Sequence, residues 1–162
     1  MIRRLLLSLG FLLLCACASQ APLPEHSPQL ALPMQLHILR EQAEQRQDWL
    51  LVIQQESGGL RWSLMDPLGI PVARQRLVDG TWQADGLLPP NPQARELFAA
   101  LLFALTPAAQ LRSNYPAARI NAGQRDLGSR WHVEYRLPLV FDVRMDQGVA
   151  YHVSPLNEEA NP

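Results

Sequence analysis

Lysine is absent from this chain of 162 residues, and all fourteen of its Lys-or-Arg positions are arginine. A Schiff-base lysine and the cation of a phosphate-binding P-loop are therefore excluded. Cysteine is almost absent too: Cys15 and Cys17 are the only two, and both fall within the first seventeen positions. The rest of the chain can form neither an intrachain disulfide framework nor a Cys-rich zinc site. Charge is scarce and balanced, at 18% charged residues and a formal net charge of -1. That composition suits neither an acidic disordered tail nor a nucleic-acid binder. The longest apolar run, residues 5–14, falls well short of the roughly 20 residues a membrane-spanning helix needs. There is no His-Glu-x-x-His, no Gly-x-Ser-x-Gly elbow and no dinucleotide fingerprint, and His26, His37, His132 and His152 are scattered. No catalytic residue, metal site or cofactor is expected, and the chain is not read as an enzyme.

The N-terminus carries more information. Arg3 and Arg4 precede the apolar run, an arrangement that suits a secretory signal core. Leu14, Ala16 and Cys17 then resemble the lipobox of bacterial lipoproteins, in which a small residue precedes the cysteine that is acylated after cleavage. Ala16 marks Cys17 as the lipidation site, because Cys15 follows the bulky Leu14. The alternative is an ordinary secretory signal with two incidental cysteines. An acylated cysteine buries many CH₂ groups at about 0.8 kcal/mol each, which makes an anchor of this kind effectively permanent. Ala18 stands where inner-membrane lipoproteins commonly carry Asp, so the resemblance implies the periplasmic face of the outer membrane of a Gram-negative bacterium. The segments expected are a signal peptide over 1–16, the lipidated cysteine and a Pro-rich tether over 17–33, a folded domain over 34–156 and a polar tail over 157–162. Pro22, Pro24, Pro28 and Pro33 make the tether an extended spacer.

The folded part has room for one domain. Met34, Leu36 and Ile38 alternate with polar residues, and Trp49, Leu50, Leu51, Val52 and Ile53 form a β-rich run. Gly58-Gly59 and Asp79-Gly80 separate such runs as hairpin turns do. Three more amphipathic strands follow near the C-terminus, over 131–137, 139–145 and 149–153, with Glu134, Arg136, Asp142 and Arg144 forming a solvated ladder between them. Between the two strand sets, Asn91-Pro92 supplies an N-cap and a proline at the first helical position. Ala94, Leu97, Phe98, Leu101, Leu102 and Leu105 then recur at helical spacing up to Pro107, and a shorter helix is expected over 107–113. From Leu97 onward this first helix offers so little polar surface that a groove of the sheet is its natural place. The expected fold is α+β, a strongly bent antiparallel sheet whose concave face is covered by one or two helices.

With Pro67, Leu68 and Gly69 between two strands, an apolar helix after them and a lipobox ahead, the chain resembles LolB, the outer-membrane receptor for lipoproteins. It more closely resembles the LolB-like lipoproteins often encoded with aryl-polyene biosynthesis genes. That resemblance spans about residues 34–153 and implies an incomplete β-barrel of LolB/LolA type. It also implies a hydrophobic cargo (acyl, lipoprotein or polyene-lipid) and a LolA-like periplasmic carrier as donor. Leu68, flanked by Pro67 and Gly69, is the position to which the family's membrane-probing leucine carries over. The other reading of Leu68 is a turn residue folded back on the core. Trp49, Leu51, Ile53, Trp62, Leu64, Leu97, Leu101, Phe141 and Val143 are the candidate lining of a cargo cavity, although for each of them ordinary core packing is the simpler reading. The alternative to a carrier is a structural or assembly lipoprotein with a filled core that acts by protein contact. The chain is shorter than LolB and differs from it beside the loop, so the resemblance does not specify the cargo.

Overall fold

Most of the period-two alternation becomes strand in the computed structural model, which describes residues 20–56 and 58–156. The leader, Cys15, Cys17 and the tail lie outside the described residues. The first meander is β1 (Met34–Gln42), β2 (Gln45–Glu56), β3 (Gly59–Met65), β4 (Pro71–Val78) and β5 (Thr81–Ala84). Two helices follow, α1 (Pro92–Leu105) and α2 (Ala108–Asn114). A second meander comprises β6 (Ala118–Asn121), β7 (Gln124–Leu127), β8 (Trp131–Leu137), β9 (Val140–Met145) and β10 (Val149–Pro155). All pairings are antiparallel, and β1 pairs with β10 to join the meanders into one ten-stranded sheet of order β5-β4-β3-β2-β1-β10-β9-β8-β7-β6. The sheet is open, with β5 and β6 as its edges.

Helix α1 is contacted from both sides of the sheet order. Trp62 of β3 and Trp82 of β5 pack on Phe98 with ring centroids 5.4 and 5.8 Å away, while Trp131 of β8 packs on Phe103 at 5.8 Å. Both wings of the sheet therefore reach the same helix, and every residue over 97–104 is buried. A helix enclosed on every side over 97–104 must still satisfy the terminal N–H and C=O groups of its backbone. At the N-terminus the Asn91 side chain accepts the N–H groups of Gln93 and Ala94, each at 3.1 Å. At the C-terminus Arg125 Nη1 donates to the carbonyls of Ala104 at 3.0 Å and Thr106 at 2.7 Å, and the Tyr135 hydroxyl donates to Ala104 at 2.6 Å. A cation there also complements the helix dipole. The β2–β3 hairpin needs its glycine, since a Cβ on Gly59 would stand 2.3 Å from the Leu77 carbonyl oxygen.

The structure departs from the sequence expectations in four places. Strands β6 and β7 were not expected, because neither shows apolar alternation; Leu127 is their one buried residue. The amphipathic alternation expected over 131–137 breaks at a register shift between Tyr135 and Leu137, which leaves Leu137 exposed. Asp142, expected on a solvated ladder, is buried beneath His152 and Arg136. Residues 20–33 are irregular, as the prolines require, yet they are docked rather than free. Glu25 and His26 donate backbone N–H groups to the carbonyl and side chain of Asn114 at 3.2 and 2.8 Å, Pro28 is buried, and Ala21, Leu23, Leu30 and Leu32 pack on the core. Apolar residues interleaved with prolines allow an extended segment to cover apolar surface without strand pairing.

Candidate functional site

The loop between β3 and β4 is built around one carboxylate. Asp66 Oδ1 accepts the backbone N–H of Leu68 at 2.9 Å and of Ile70 at 2.8 Å. The Asp66 carbonyl accepts the Gly69 N–H at 2.9 Å, and the Asp66 N–H donates to the Ile70 carbonyl at 3.0 Å. Gly69 has φ +81°, the left-handed conformation this turn requires. With its backbone satisfied in this way, the loop holds Leu68 85% and Ile70 58% exposed, and Pro67 is exposed beside them. Leu87, between β5 and α1, is fully exposed as well.

The second feature is a pocket of about 750 Å³ between the wings of the sheet at the N-terminal end of α1. Gly80, Thr81 and Trp82 form one side and Met145, Asp146, Gln147 and Val149 the other, with Arg40 and Tyr151 from the central strands and Ala21 and Leu23 from the docked segment. Helix α1 contributes Arg95 and Glu96. Glu96 accepts two bonds from Arg130, each at 2.7 Å, and one from the Trp131 indole at 2.7 Å. Burial would raise the Glu96 pKa, but Arg130 and Trp131 outweigh it and hold the carboxyl below its ordinary value. Burial pushes the Tyr151 hydroxyl up, against the charge of Arg40. The lining thus combines apolar surface with donors and one tightly held ion pair, an arrangement suited to binding and orienting an amphiphile. The pocket and the Leu68 loop are distinct, for Gly80 and Gly69 flank opposite ends of β4, whose eight residues extend roughly 26 Å.

None of the nine anticipated cavity residues lines this pocket. Leu51, Ile53, Trp62, Leu64, Leu97, Leu101, Phe141 and Val143 are at most 1% exposed within the common core, and Trp49 is half-buried against it. The structure brings them together as packing between sheet and helix. The residues that do line the pocket escaped the sequence reading, although one signal was available. Arg40 continues the inward row of Leu36 and Ile38 on β1, where an arginine is out of place unless it serves a site.

The chain finds no match among curated proteins. Its residues 34–152, from the first residue of β1 into β10, match a protein family. On that match the chain belongs to the family described as a protein of unknown function (DUF3261).

Proposed function

We propose that this protein is a LolB-like lipoprotein, anchored through Cys17 to the periplasmic face of the outer membrane, that receives a hydrophobic acyl-bearing cargo and passes it to the bilayer. The observation that carries this reading is the Asp66-locked loop. Exposed apolar surface forgoes about 25 cal/mol per Å² of burial, and here the backbone bonds hold Leu68 and Ile70 in that state. A rigid apolar tip of this kind suits insertion among acyl chains. The cargo, an acyl, lipoprotein or polyene-lipid moiety, occupies the pocket between the wings, whose volume lies within the usual range for small-molecule sites. Ala21 lines that pocket four residues after Cys17, a reach of at most about 14 Å, so the anchor keeps the pocket near the bilayer. With β4 lying along the membrane surface, the Leu68 tip reaches it as well. A LolA-like soluble carrier is the proposed donor.

A second reading draws on a different observation. The burial of eight of the nine anticipated cavity residues favours a structural or assembly lipoprotein with a filled core, acting by protein contact. Native mass spectrometry of the full chain discriminates between the two. The carrier reading expects a lipid or polyene adduct that is released on addition of vesicles. Repeated preparations without any adduct, together with unimpaired function of Leu68→Glu in cells, favour the contact reading.

A further inference from the structure

We propose that the pocket between the wings binds the anionic headgroup, phosphate or carboxylate, of an acyl-bearing amphiphile through Arg40, with Arg95 as a second cation. The inference rests on the carrier reading above and adds the chemical class of the cargo. Arg40 is 8% exposed, yet its hydrogen-bond partners are all neutral: Nη1 donates to Gln47 Oε1 at 3.4 Å and Nη2 to Gln42 Oε1, and the guanidinium also bonds the Tyr151 hydroxyl. The guanidinium also lies over the Trp49 ring, 5.9 Å from its centroid. Removing a guanidinium from water without a counter-charge is costly, and amide acceptors compensate only in part.

The neighbouring carboxylates are engaged elsewhere. Glu41 sits on the other face of β1, where it meets Arg46 at 2.7 Å and His152 at 3.1 Å. Asp48 meets His37 at 2.8 Å. Of the two carboxylates that line the pocket, Glu96 is bound to Arg130 and Asp146 adds its charge to the same arginine. Arg95 repeats the pattern of Arg40, since its Nε donates to the amide oxygen of Gln75 at 3.1 Å. Two arginines steered by glutamines, in a pocket whose carboxylates both serve a third, leave positive potential for an incoming anion. Leu23, Trp82, Met145 and Val149 supply the apolar surface for the acyl stem.

The test uses the full chain in dodecyl maltoside micelles, titrated with dodecyl phosphate, with dodecanol and with inorganic phosphate, and read by intrinsic tryptophan fluorescence, to which Trp82 of the pocket lining contributes. Dodecyl phosphate is expected to bind saturably and at least tenfold tighter than either of the others. Arg40→Gln is expected to abolish the preference over dodecanol, and Arg40→Lys to retain most of it. Equal binding of dodecyl phosphate and dodecanol overturns the anion site while leaving the carrier reading standing. Binding of neither amphiphile overturns both. Inorganic phosphate binding as tightly as dodecyl phosphate overturns the amphiphile assignment in favour of a free anion. An unchanged preference in Arg40→Gln overturns the role of that residue, and the comparison of ligands on the unmutated chain decides the matter even if the variant does not fold.

Discussion

Asp66 holds Leu68 out in solvent: its carboxylate accepts the Leu68 N–H at 2.9 Å in a loop where the leucine side chain is 85% exposed. A polar residue two positions earlier in the turn thereby sets the presentation of an apolar one. Leu68→Glu is expected to change stability by no more than about 0.5 kcal/mol, as at other exposed sites, while reducing delivery of bound cargo into vesicles. Asp66→Ala is expected to cost about 1 kcal/mol through the lost turn bonds and to weaken delivery with Leu68 still present. Urea denaturation and a vesicle-transfer assay measure both effects. A loss of stability above 2 kcal/mol for Leu68→Glu, on the scale of core substitutions, would show the leucine to be structural.

The interior offers a sharper contrast. Leu101 is fully buried on the helix that both wings enclose. Leu101→Ala is expected to cost about 2–5 kcal/mol, the range for deleting a packed leucine side chain. Were the space around the helix an open cargo cavity, the variant would lose far less, because few packing contacts would be removed. The urea midpoint at unchanged slope supplies the number.

Asn114 ties the segment over 20–33 to α2. It is 4% exposed, its side chain accepts the His26 N–H at 2.8 Å and its carbonyl accepts the Glu25 N–H at 3.2 Å. Asn114→Ala is expected to lower stability by about 1 kcal/mol, the net value of one such bond, and to speed amide exchange over 21–30. Exchange that stays slow in this segment would mean that the apolar contacts of Leu23 and Leu30 hold it without the asparagine.

His152 bridges two carboxylates, Asp142 at 2.6 Å and Glu41 at 3.1 Å. Burial opposes the imidazolium, the two carboxylates outweigh it, and the histidine titrates above its ordinary 6.5. A pKa raised on folding contributes stability that is complete below about pH 6.5 and is lost as pH rises through the folded value. Asp142 works in the opposite sense. Burial would raise its pKa, but His152 and Arg136 hold it below 3.8, so its contribution is present above that value and fades as pH falls through the lowered one. Stability from this cluster is therefore expected to peak on the mildly acidic side and to decline towards alkaline pH. His152→Gln is expected to flatten the alkaline decline in urea midpoints taken between about pH 5 and 9. Equal slopes for variant and parent chain would place the titrating group elsewhere.

The elements that could be read from sequence are those whose signal is local. Asn91-Pro92 and the 3.6-residue recurrence from Ala94 to Leu105 mark α1 because capping and amphipathicity are properties of one segment. β6 and β7 gave no such signal, since four-residue strands with one buried residue between them have little alternation to display. The pocket was hidden for another reason. Its walls come from positions as far apart as Ala21, Trp82 and Val149, and no window of sequence contains them together.

By itself, the sequence determined that an apolar run over 5–14 precedes Cys17, that helix lies between two sets of amphipathic strands, and that Leu68 occupies a turn. Each of these follows from the spacing of neighbouring residues. Only the tertiary structure decided that β1 pairs with β10 across the chain, bringing Glu41 to His152 over 111 positions. It likewise decided that the anticipated cavity residues pack as core, that the Pro-rich segment docks, and that a buried Arg40 faces the pocket with no carboxylate among its hydrogen-bond partners in the described residues. Burial and charge balance depend on which strands lie beside one another, and that is a property of the whole sheet.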